Sequence, residues 1–180
     1  MIHHRNNVVI NKIDDMQVAE TLPGGHTINT NAAKATGRGV EIELTARLTK
    51  ALTLVGGFGY TDIKFDSFSD AQGDYEGNKN PWAPEYTFNI GAQYRHEAGF
   101  FARVDLVGYG KMYFDKANNY SSDPYELVNA KIGYETDRFD IYFYGKNIFD
   151  KKYDTRRAYD GFLDFYSPPG EVGLQAILRF

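Results

Sequence analysis

The residues that could bind a metal ion are four histidines and a series of aspartates. The histidines are far apart in the chain, and their spacing does not favour a shared set of ligands. Asp62, Asp66, Asp70 and Asp74 recur at every fourth position, but they lack the ligand pattern and the closing Glu of a calcium-binding loop. We therefore predict surface histidines, solvated loop carboxylates and no metal site.

Residues for covalent catalysis are equally sparse. The chain has no cysteine, and no Ser/His/Asp arrangement, pair of catalytic carboxylates or Gly-x-Ser-x-Gly motif stands out. The glycines at 56, 57 and 59 are not followed by the Lys-Ser/Thr of a phosphate loop. The net charge of −4 argues against contacts with phosphates, which require clustered Lys and Arg. The sequence predicts a non-enzymatic protein with no cofactor and no nucleic-acid partner.

The remaining chemical candidates are charged residues that alternate with apolar ones. An alternation with a period of two predicts β-strands that have one polar and one apolar face. In a barrel, the polar positions would face the interior and would have to pair with one another. These positions are Glu41, Glu43, Arg47, Arg95, Arg103, Asp105, Lys131, Glu135 and Arg179.

The opposite face of the same strands is apolar. A membrane barrel would turn this face towards lipid, whereas a soluble barrel would turn it inwards. Its positions are Val40, Ile42, Leu44, Leu52, Leu54, Phe88, Ile90, Val104, Leu106, Val128, Ile132, Ile141, Phe143, Leu174 and Leu178.

Eight strands account for this alternation. The clearest pair is the hairpin within residues 125–153, which turns at 136–138. The strand at 8–19 is the weakest, because neither of its faces is cleanly apolar. We predict a long polar approach from residue 28 to the strand that begins at Val40, and loops at about 66–85, 115–124 and 154–169.

The connections between the patterned strands alternate between short and long. Together with the strand pattern, this predicts an all-β, antiparallel transmembrane β-barrel of about eight strands in an up-and-down meander. Its turns would be short on the periplasmic side and its loops long on the outer side. Aromatic residues near the strand ends would form an interfacial girdle; they are Trp82, Tyr86, Tyr113, Phe114, Tyr125 and Tyr153.

Several stretches together resemble the barrel of TonB-dependent outer-membrane receptors, in particular the ferric-siderophore type. They are residues 31–44, 77–81, 83–87, 125–130, 145–153 and 178–180. The resemblance implies uptake of iron chelates in the bacterial outer membrane. It implies as partners outer-membrane lipid, the barrel-assembly machinery and, in a full receptor, a plug domain, TonB and a ferric siderophore. The terminal aromatic Phe180 looks like the signal read by the assembly machinery.

The chain also departs from this family. A full receptor has about 22 strands around a plug, whereas residues 1–180 are expected to form a single barrel domain or barrel segment without a plug. The Gly-Asp-Pro-Arg that often precedes the last strand in the family is replaced by residues 167–171, which lack the Arg. The resemblance thus implies a segment that does not transport by itself, and it carries over no ligand-binding residue.

Two other architectures fit the same alternation. The eight strands could close into a free-standing outer-membrane barrel with a structural or adhesive role, its interior filled by side chains. Alternatively, a soluble barrel could bind a small ligand in an apolar interior. The soluble alternative predicts that Leu44, Leu54, Ile90, Val104 and Ile132 point inwards.

Overall fold

The computed structural model describes residues 1–158 and 163–180, and this part of the chain is all-β. Within it, no helix is long and apolar enough to cross a membrane. The strands are β1 (Ile2–Thr21), β2 (Thr27–Arg47), β3 (Leu52–Ser67), β4 (Ser69–Asp70), β5 (Gly73–Asp74), β6 (Tyr86–Arg95), β7 (Phe100–Tyr109), β8 (Met112–Tyr113), β9 (Ser121–Ser122), β10 (Tyr125–Glu135), β11 (Phe139–Lys146), β12 (Asp154–Ala158), β13 (Leu163–Tyr166) and β14 (Glu171–Leu178).

Eight of these strands form one antiparallel sheet in the order β1-β2-β3-β6-β7-β10-β11-β14. The other six form three small hairpins, β4-β5, β8-β9 and β12-β13, which lie within the long connections. The predicted all-β, antiparallel meander is confirmed. In the described residues, however, β1 pairs only with β2 and β14 only with β11. The sheet is therefore open, and the structure does not show a closed barrel.

Three short turns join neighbouring strands at one end of the sheet, which we call the turn end. Each is held by its own hydrogen bonds. In the β2–β3 turn, the hydroxyl of Thr49 accepts from the backbone N–H of Ala51 and Leu52 at 3.1 and 2.9 Å. The hydroxyl of Thr136 accepts from the N–H of Phe139 in the same way. In the β6–β7 turn, Gly99 has a φ of +94°, a conformation that glycine tolerates best. The predicted short turns are confirmed.

The first strands are longer than predicted. β1 spans Ile2–Thr21, and the polar approach expected at 28–39 is part of β2. Its backbone is paired on both sides over much of this stretch; Thr36, for example, is opposite Lys12 and Lys64. β3 continues to Ser67, beyond the predicted start of a loop. Backbone hydrogen bonds between strands do not require an apolar face, so hydrophobic alternation could not reveal these extensions.

The buried hydrophobic core lies at the other end of the sheet, which we call the loop end. Phe65, Phe68 and Tyr75 pack there against Ala33 and Ala35. By contrast, the apolar face of the main sheet is exposed: Ile90 is 60% and Leu174 69% exposed. The five side chains that the soluble alternative would bury are all exposed, and no described element covers them. The core therefore holds the loops in place and leaves the face of the sheet free.

Candidate functional site: the polar face and the loop end

The register of the sheet gathers the two predicted sets of residues on opposite faces. Ile42 is opposite Phe58, Ile90 opposite Leu106, and Ile132 opposite Phe143. Directly opposed residues in paired strands share a face. All fifteen apolar positions therefore lie on one face, and the nine charged positions lie on the other, which we call the polar face.

On the polar face near the turn end, a network of hydrogen bonds joins three strands. The guanidinium of Arg95 donates to both carboxylate oxygens of Glu135, at 2.6 and 3.0 Å. The hydroxyl of Tyr142 donates to the same carboxylate at 2.7 Å. The ring of Phe101 packs edge-on against Tyr142 at 5.4 Å and lies under Arg95 at 5.2 Å. The ion pair and the aromatic packing therefore join the same strands on the polar face.

A second ion pair ties β11 to the residues after β14. Arg179 donates from one guanidinium nitrogen to Asp140 Oδ1 at 2.9 Å, and its other nitrogen contacts Oδ2. The first nitrogen also donates to the backbone carbonyl of Thr136 at 2.9 Å. Asp140 was not among the predicted interior residues, although its position in the alternation could have revealed it. The pair links the last strand to the β10–β11 turn.

The centre of the polar face forms an open groove of about 760 Å³. On its floor, Arg103 donates two hydrogen bonds of 2.7 Å to Asp105. The ammonium of Lys131 donates to Gln175 at 2.8 Å and lies 3.9 Å from the centre of the Tyr142 ring. These polar groups are mostly hydrogen-bonded to one another, and they are open to the space over the polar face.

The other predicted interior residues make fewer contacts. Glu41 accepts a long hydrogen bond of 3.5 Å from Asn7. In the described part of the chain, Glu43 and Arg47 form no ion pair within 4.0 Å. The expected mutual pairing of these charges thus holds for Arg95 with Glu135 and for Arg103 with Asp105. Lys131 bonds Gln175 instead, Arg179 bonds Asp140, and the charges of β2 are not paired with one another.

The apolar face carries two rows of aromatic side chains. On β6, Tyr86 and Tyr94 are eight residues apart, which corresponds to roughly 27 Å along a strand. This length suits the apolar band of an outer-membrane barrel, which is about 25 Å tall between its aromatic girdles. The row near the loop end contains Phe58, Tyr60 and Tyr86, and the row near the turn end contains Tyr94, Phe100, Tyr134 and Phe139.

Five residues of the predicted girdle lie outside these rows. Trp82, Tyr113 and Phe114 belong to the long connections at the loop end, where the buried Phe114 packs on the ring of Trp82 at 5.3 Å. Tyr125 is opposite Tyr109 and shares the face of Lys131, so it belongs to the polar face. Tyr153 stacks on Tyr125 with a distance of 4.0 Å between ring centres. The girdle prediction is therefore wrong for Phe114, Tyr125 and Tyr153, because it used nearness to a strand end and ignored the alternation and the packing of the loops. Phe180 follows β14 and is exposed, and its role as an assembly signal stays a prediction.

At the loop end, a buried ion pair fastens the β4–β5 hairpin. Lys116 pairs with Asp70, whose side chain has no exposed area. The hydroxyl of Tyr75 donates to the other carboxylate oxygen of Asp70 at 2.9 Å. Burial and this hydrogen bond to a carboxylate raise the pKa of Tyr75 to about 12. The prediction that Asp70 is a solvated loop carboxylate is therefore wrong.

A pair of reciprocal hydrogen bonds joins the β5–β6 loop to the β8–β9 loop. Asn118 accepts from the N–H of Lys79 at 2.7 Å and donates to its carbonyl at 2.9 Å. The ammonium of Lys79 also contacts Glu85 at 2.6 Å. Burial lowers the pKa of Lys79, but the nearby carboxylates of Glu85 and Asp62 outweigh it and leave the pKa above its ordinary value. Sequence patterns did not reveal this brace, because the two loops are distant in the chain.

The geometry offers surfaces for binding. Among the described residues, no group of three or more His, Asp and Glu side chains could hold a metal ion. The polar face presents hydrogen-bonded charge, and the loop end presents ordered hairpins with a buried aromatic core. Together with the exposed apolar face, these features define a sector of a membrane β-barrel.

Comparison with known proteins gives the same class. Residues 7–148 match the family described as TonB dependent receptor-like, beta-barrel, and the chain belongs to this family, whose members are receptors and transporters of the bacterial outer membrane. It is 25% identical over 167 residues to the ferrichrome outer membrane transporter/phage receptor of Escherichia coli K12. It is 27% identical over 153 residues to the ferric-pyoverdine M114 receptor PbuA of Pseudomonas sp. M114.

Solved structures share the fold. The ferric yersiniabactin uptake receptor FyuA of Yersinia pestis matches with a TM-score of 0.83 at 22% identity, over 99% of this chain and 28% of the receptor. The ferric citrate transporter FecA matches with a TM-score of 0.82 at 17% identity, over 99% of this chain and 29% of the transporter. The matches to the two sequence relatives cover 88% and 77% of this chain. The chain spans only 22% and 18% of the relatives' own lengths.

Proposed function

We propose that this chain forms one sector of the wall of a TonB-dependent receptor that takes up ferric siderophores. The observation that carries the proposal is the division of one eight-stranded sheet into two faces. The apolar face is exposed and bounded by aromatic rows, and the polar face carries ion pairs. Soluble proteins rarely expose so large an apolar surface, whereas a barrel in lipid requires one.

The proposal assigns an environment to each face. The fifteen apolar positions, from Val40 to Leu178, contact outer-membrane lipid. The nine charged positions, from Glu41 to Arg179, face the lumen. The turn end is periplasmic, and the loop end is on the outer side. Support for this orientation comes from the short turns and long loops of outer-membrane barrels in general.

The same proposal names the partners. A plug domain would lie against the polar face, and TonB would energise the complete receptor. The barrel-assembly machinery would insert the wall, and a ferric siderophore would approach from the loop end. The chain catalyses no reaction in this account. Because its sheet is open and unpaired backbone groups are costly in lipid, it acts as part of a larger wall and does not transport alone.

A chimera tests this function. The matching segment of the Escherichia coli ferrichrome transporter is replaced by this chain, and outer-membrane assembly and ferrichrome uptake are measured. We expect the chimera to assemble and to retain measurable uptake. Assembly without uptake would contradict the siderophore role while leaving the wall role intact.

A matched pair of variants controls the chimera. Ile90→Arg places a charge on the proposed lipid face, and Asn89→Arg places the same charge on the polar face of the same strand. We expect only Ile90→Arg to prevent assembly. Equal assembly of both variants would contradict the assignment of the two faces.

A further inference from the structure

On β1, β2 and β3, the apolar face is followed towards the loop end by charged side chains. Residues two apart on a strand share a face, and on each of these strands the position that follows the last apolar side chain of this face is charged. These pairs are Ile10 and Lys12, Val40 and Arg38, and Tyr60 and Asp62. The charge therefore begins where the apolar surface stops.

The register of the sheet brings three cations together at this border. Thr36 is opposite Lys12 on one side and Lys64 on the other, and Arg38 is two residues further along β2. Arg38 is therefore a diagonal neighbour of both lysines, at roughly 7–8 Å between backbones. We call Lys12, Arg38 and Lys64 the basic triangle. Their long side chains can reach a single phosphate group placed between them.

The nearby carboxylates leave part of this positive charge uncompensated. Asp62 contacts Lys64 at 3.4 Å and Lys79 at 3.7 Å, and Lys79 also contacts Glu85 at 2.6 Å. The side chain of Lys64 nevertheless stays 49% exposed. These carboxylates are therefore held mainly on the side of the triangle that faces the β5–β6 loop.

The other two cations have no partner in the part of the chain that the structure describes. The exposed side chains of Lys12 and Arg38 form no hydrogen bond or ion pair there. Between Lys12 and Lys64, the hydroxyl of Thr36 donates to Asp66 at 2.7 Å. Like charges on neighbouring strands repel one another. An anion from outside the chain would remove this repulsion.

The position of the triangle indicates where such an anion would come from. The triangle lies just beyond the aromatic row that contains Tyr60 and Tyr86. In the proposed orientation this row marks the outer edge of the hydrocarbon, and basic side chains at such an edge extend their charged ends into the headgroup layer. On β10, the residue that follows Val128 on the same face is Glu126. The positive charge is therefore local to β1–β3.

We propose that the basic triangle binds a phosphate group in the headgroup of a phosphorylated lipid of the outer leaflet. The guanidinium of Arg38 donates two hydrogen bonds to the phosphate oxygens, a geometry that suits arginine. Lys12 and Lys64 donate from either side, and the acyl chains lie along the exposed side chains of Val8 and Val40. The inference rests on the proposed function, because it requires the apolar face to meet lipid.

Lipid binding to the ferrichrome-transporter chimera tests the proposal. The purified chimera in dodecyl maltoside micelles is titrated with lipid A, whose sugar headgroup carries phosphates, and with dephosphorylated lipid A, and native mass spectrometry counts the bound lipids. We expect the double variant Lys12→Gln/Arg38→Gln to bind fewer lipid A molecules, with a loss of affinity at this site of at least about tenfold. Binding of the dephosphorylated lipid should not change. Equal binding of lipid A to the chimera and the double variant would overturn the proposal.

Matched variants separate charge from structure. Lys12→Arg keeps the charge and should bind lipid A normally, and Lys152→Gln removes an exposed cation outside the triangle and should do the same. An equal loss in Lys152→Gln and in the double variant would overturn the assignment of the site. Displacement of lipid A by excess inorganic phosphate would show a site for a free anion and would overturn the choice of a lipid.

A separate readout distinguishes this inference from the proposed function. Assembly and heat-dependent gel migration report whether each variant folds, and Ile90→Arg tests the lipid face independently of the triangle. If Ile90→Arg prevents assembly while the double variant binds lipid A normally, only the present inference fails. If Ile90→Arg assembles normally, the proposed function fails with it.

Discussion

At the scale of single residues, the polar face is held by bonds among neighbouring strands. Glu135 receives two hydrogen bonds from Arg95 and one from Tyr142. Glu43, on the same face, forms no ion pair in the part of the chain that the structure describes. The two glutamates therefore provide a direct measure of what the network contributes.

We predict that Glu135→Ala lowers the free energy of unfolding by about 1 kcal/mol, the upper range for partly exposed ion pairs. Glu43→Ala should change it by less than about 0.5 kcal/mol, as is usual for surface positions without special contacts. The measurement is urea unfolding in micelles, combined with a double-mutant cycle with Arg95→Ala. A coupling energy of zero in that cycle would show that the ion pair does not stabilise the sheet.

Tyr75 makes the loop end sensitive to alkaline pH. Its folded pKa of about 12 lies above the ordinary value of about 10, so folding favours the neutral phenol. The resulting stability is fully present below the ordinary pKa and is lost as the pH rises through the folded pKa. We predict a loosening of the loop end between about pH 10 and 12, read from Trp82 fluorescence. The pH-dependent loosening should be absent in Tyr75→Phe. If that variant loosened over the same pH range, the loosening would be due to another titrating group.

At the scale of elements, alternation identified the two faces but not the full strands. The apolar and charged positions of β2, β3, β6, β7, β10, β11 and β14 separate as predicted, because each strand has one apolar side. β1 and the outer half of β2 lack such a side, and their pairing follows from backbone hydrogen bonds that leave no hydrophobic pattern. The loop-end ion pair was missed because Lys116 and Asp70 are 46 residues apart and meet only where the β4–β5 and β8–β9 hairpins lie together.

Strand orientation has a direct energetic consequence. We predict that Leu54→Arg and Ile132→Arg each cost about 2–4 kcal/mol in a bilayer, the cost of a basic residue on the lipid face at the midplane. Asn129→Arg, on the polar face of the same β10, should cost only about 1 kcal/mol, for the hydrogen bond that its Oδ1 accepts from the N–H of Asn147 at 2.9 Å. Unfolding from lipid vesicles, followed by heat-dependent gel migration, measures all three. Similar losses for Ile132→Arg and Asn129→Arg would remove the distinction between the faces.

Turn geometry gives another element-level test. Gly99 and Gly25 both have positive φ, +94° and +85°, but a Cβ at Gly99 would collide with the carbonyl of Glu135, whereas none lies within 4 Å at Gly25. We predict that Gly99→Ala costs at least about 1 kcal/mol more than Gly25→Ala, because it adds a clash to the same backbone strain. Thermal unfolding of the two variants measures the difference. Equal costs would mean that the β6–β7 turn relaxes freely.

At the scale of the whole molecule, the chain is an open sheet whose ends differ in character. The turn end consists of tight hairpins, and the loop end carries a buried core and braced loops. The order of strands could be predicted because each long connection and each short turn joins sequence neighbours. The open edges could not be predicted, because closure depends on the pairing of β1 with β14 and not on any pattern within a strand.

The central claim is that one face of this sheet meets lipid and the other meets water. Because the chain lacks cysteine, single cysteines on the two faces of one strand can carry a nitroxide label. The positions are Asn89 and Ile90 on β6, and Asn129 and Ile132 on β10, examined in the chimera after assembly in lipid. Our account predicts that labels at Ile90 and Ile132 are accessible to oxygen dissolved in lipid, and that labels at Asn89 and Asn129 are accessible to a water-soluble nickel chelate. The same accessibility on both faces of a strand, or the reverse pattern, would contradict it.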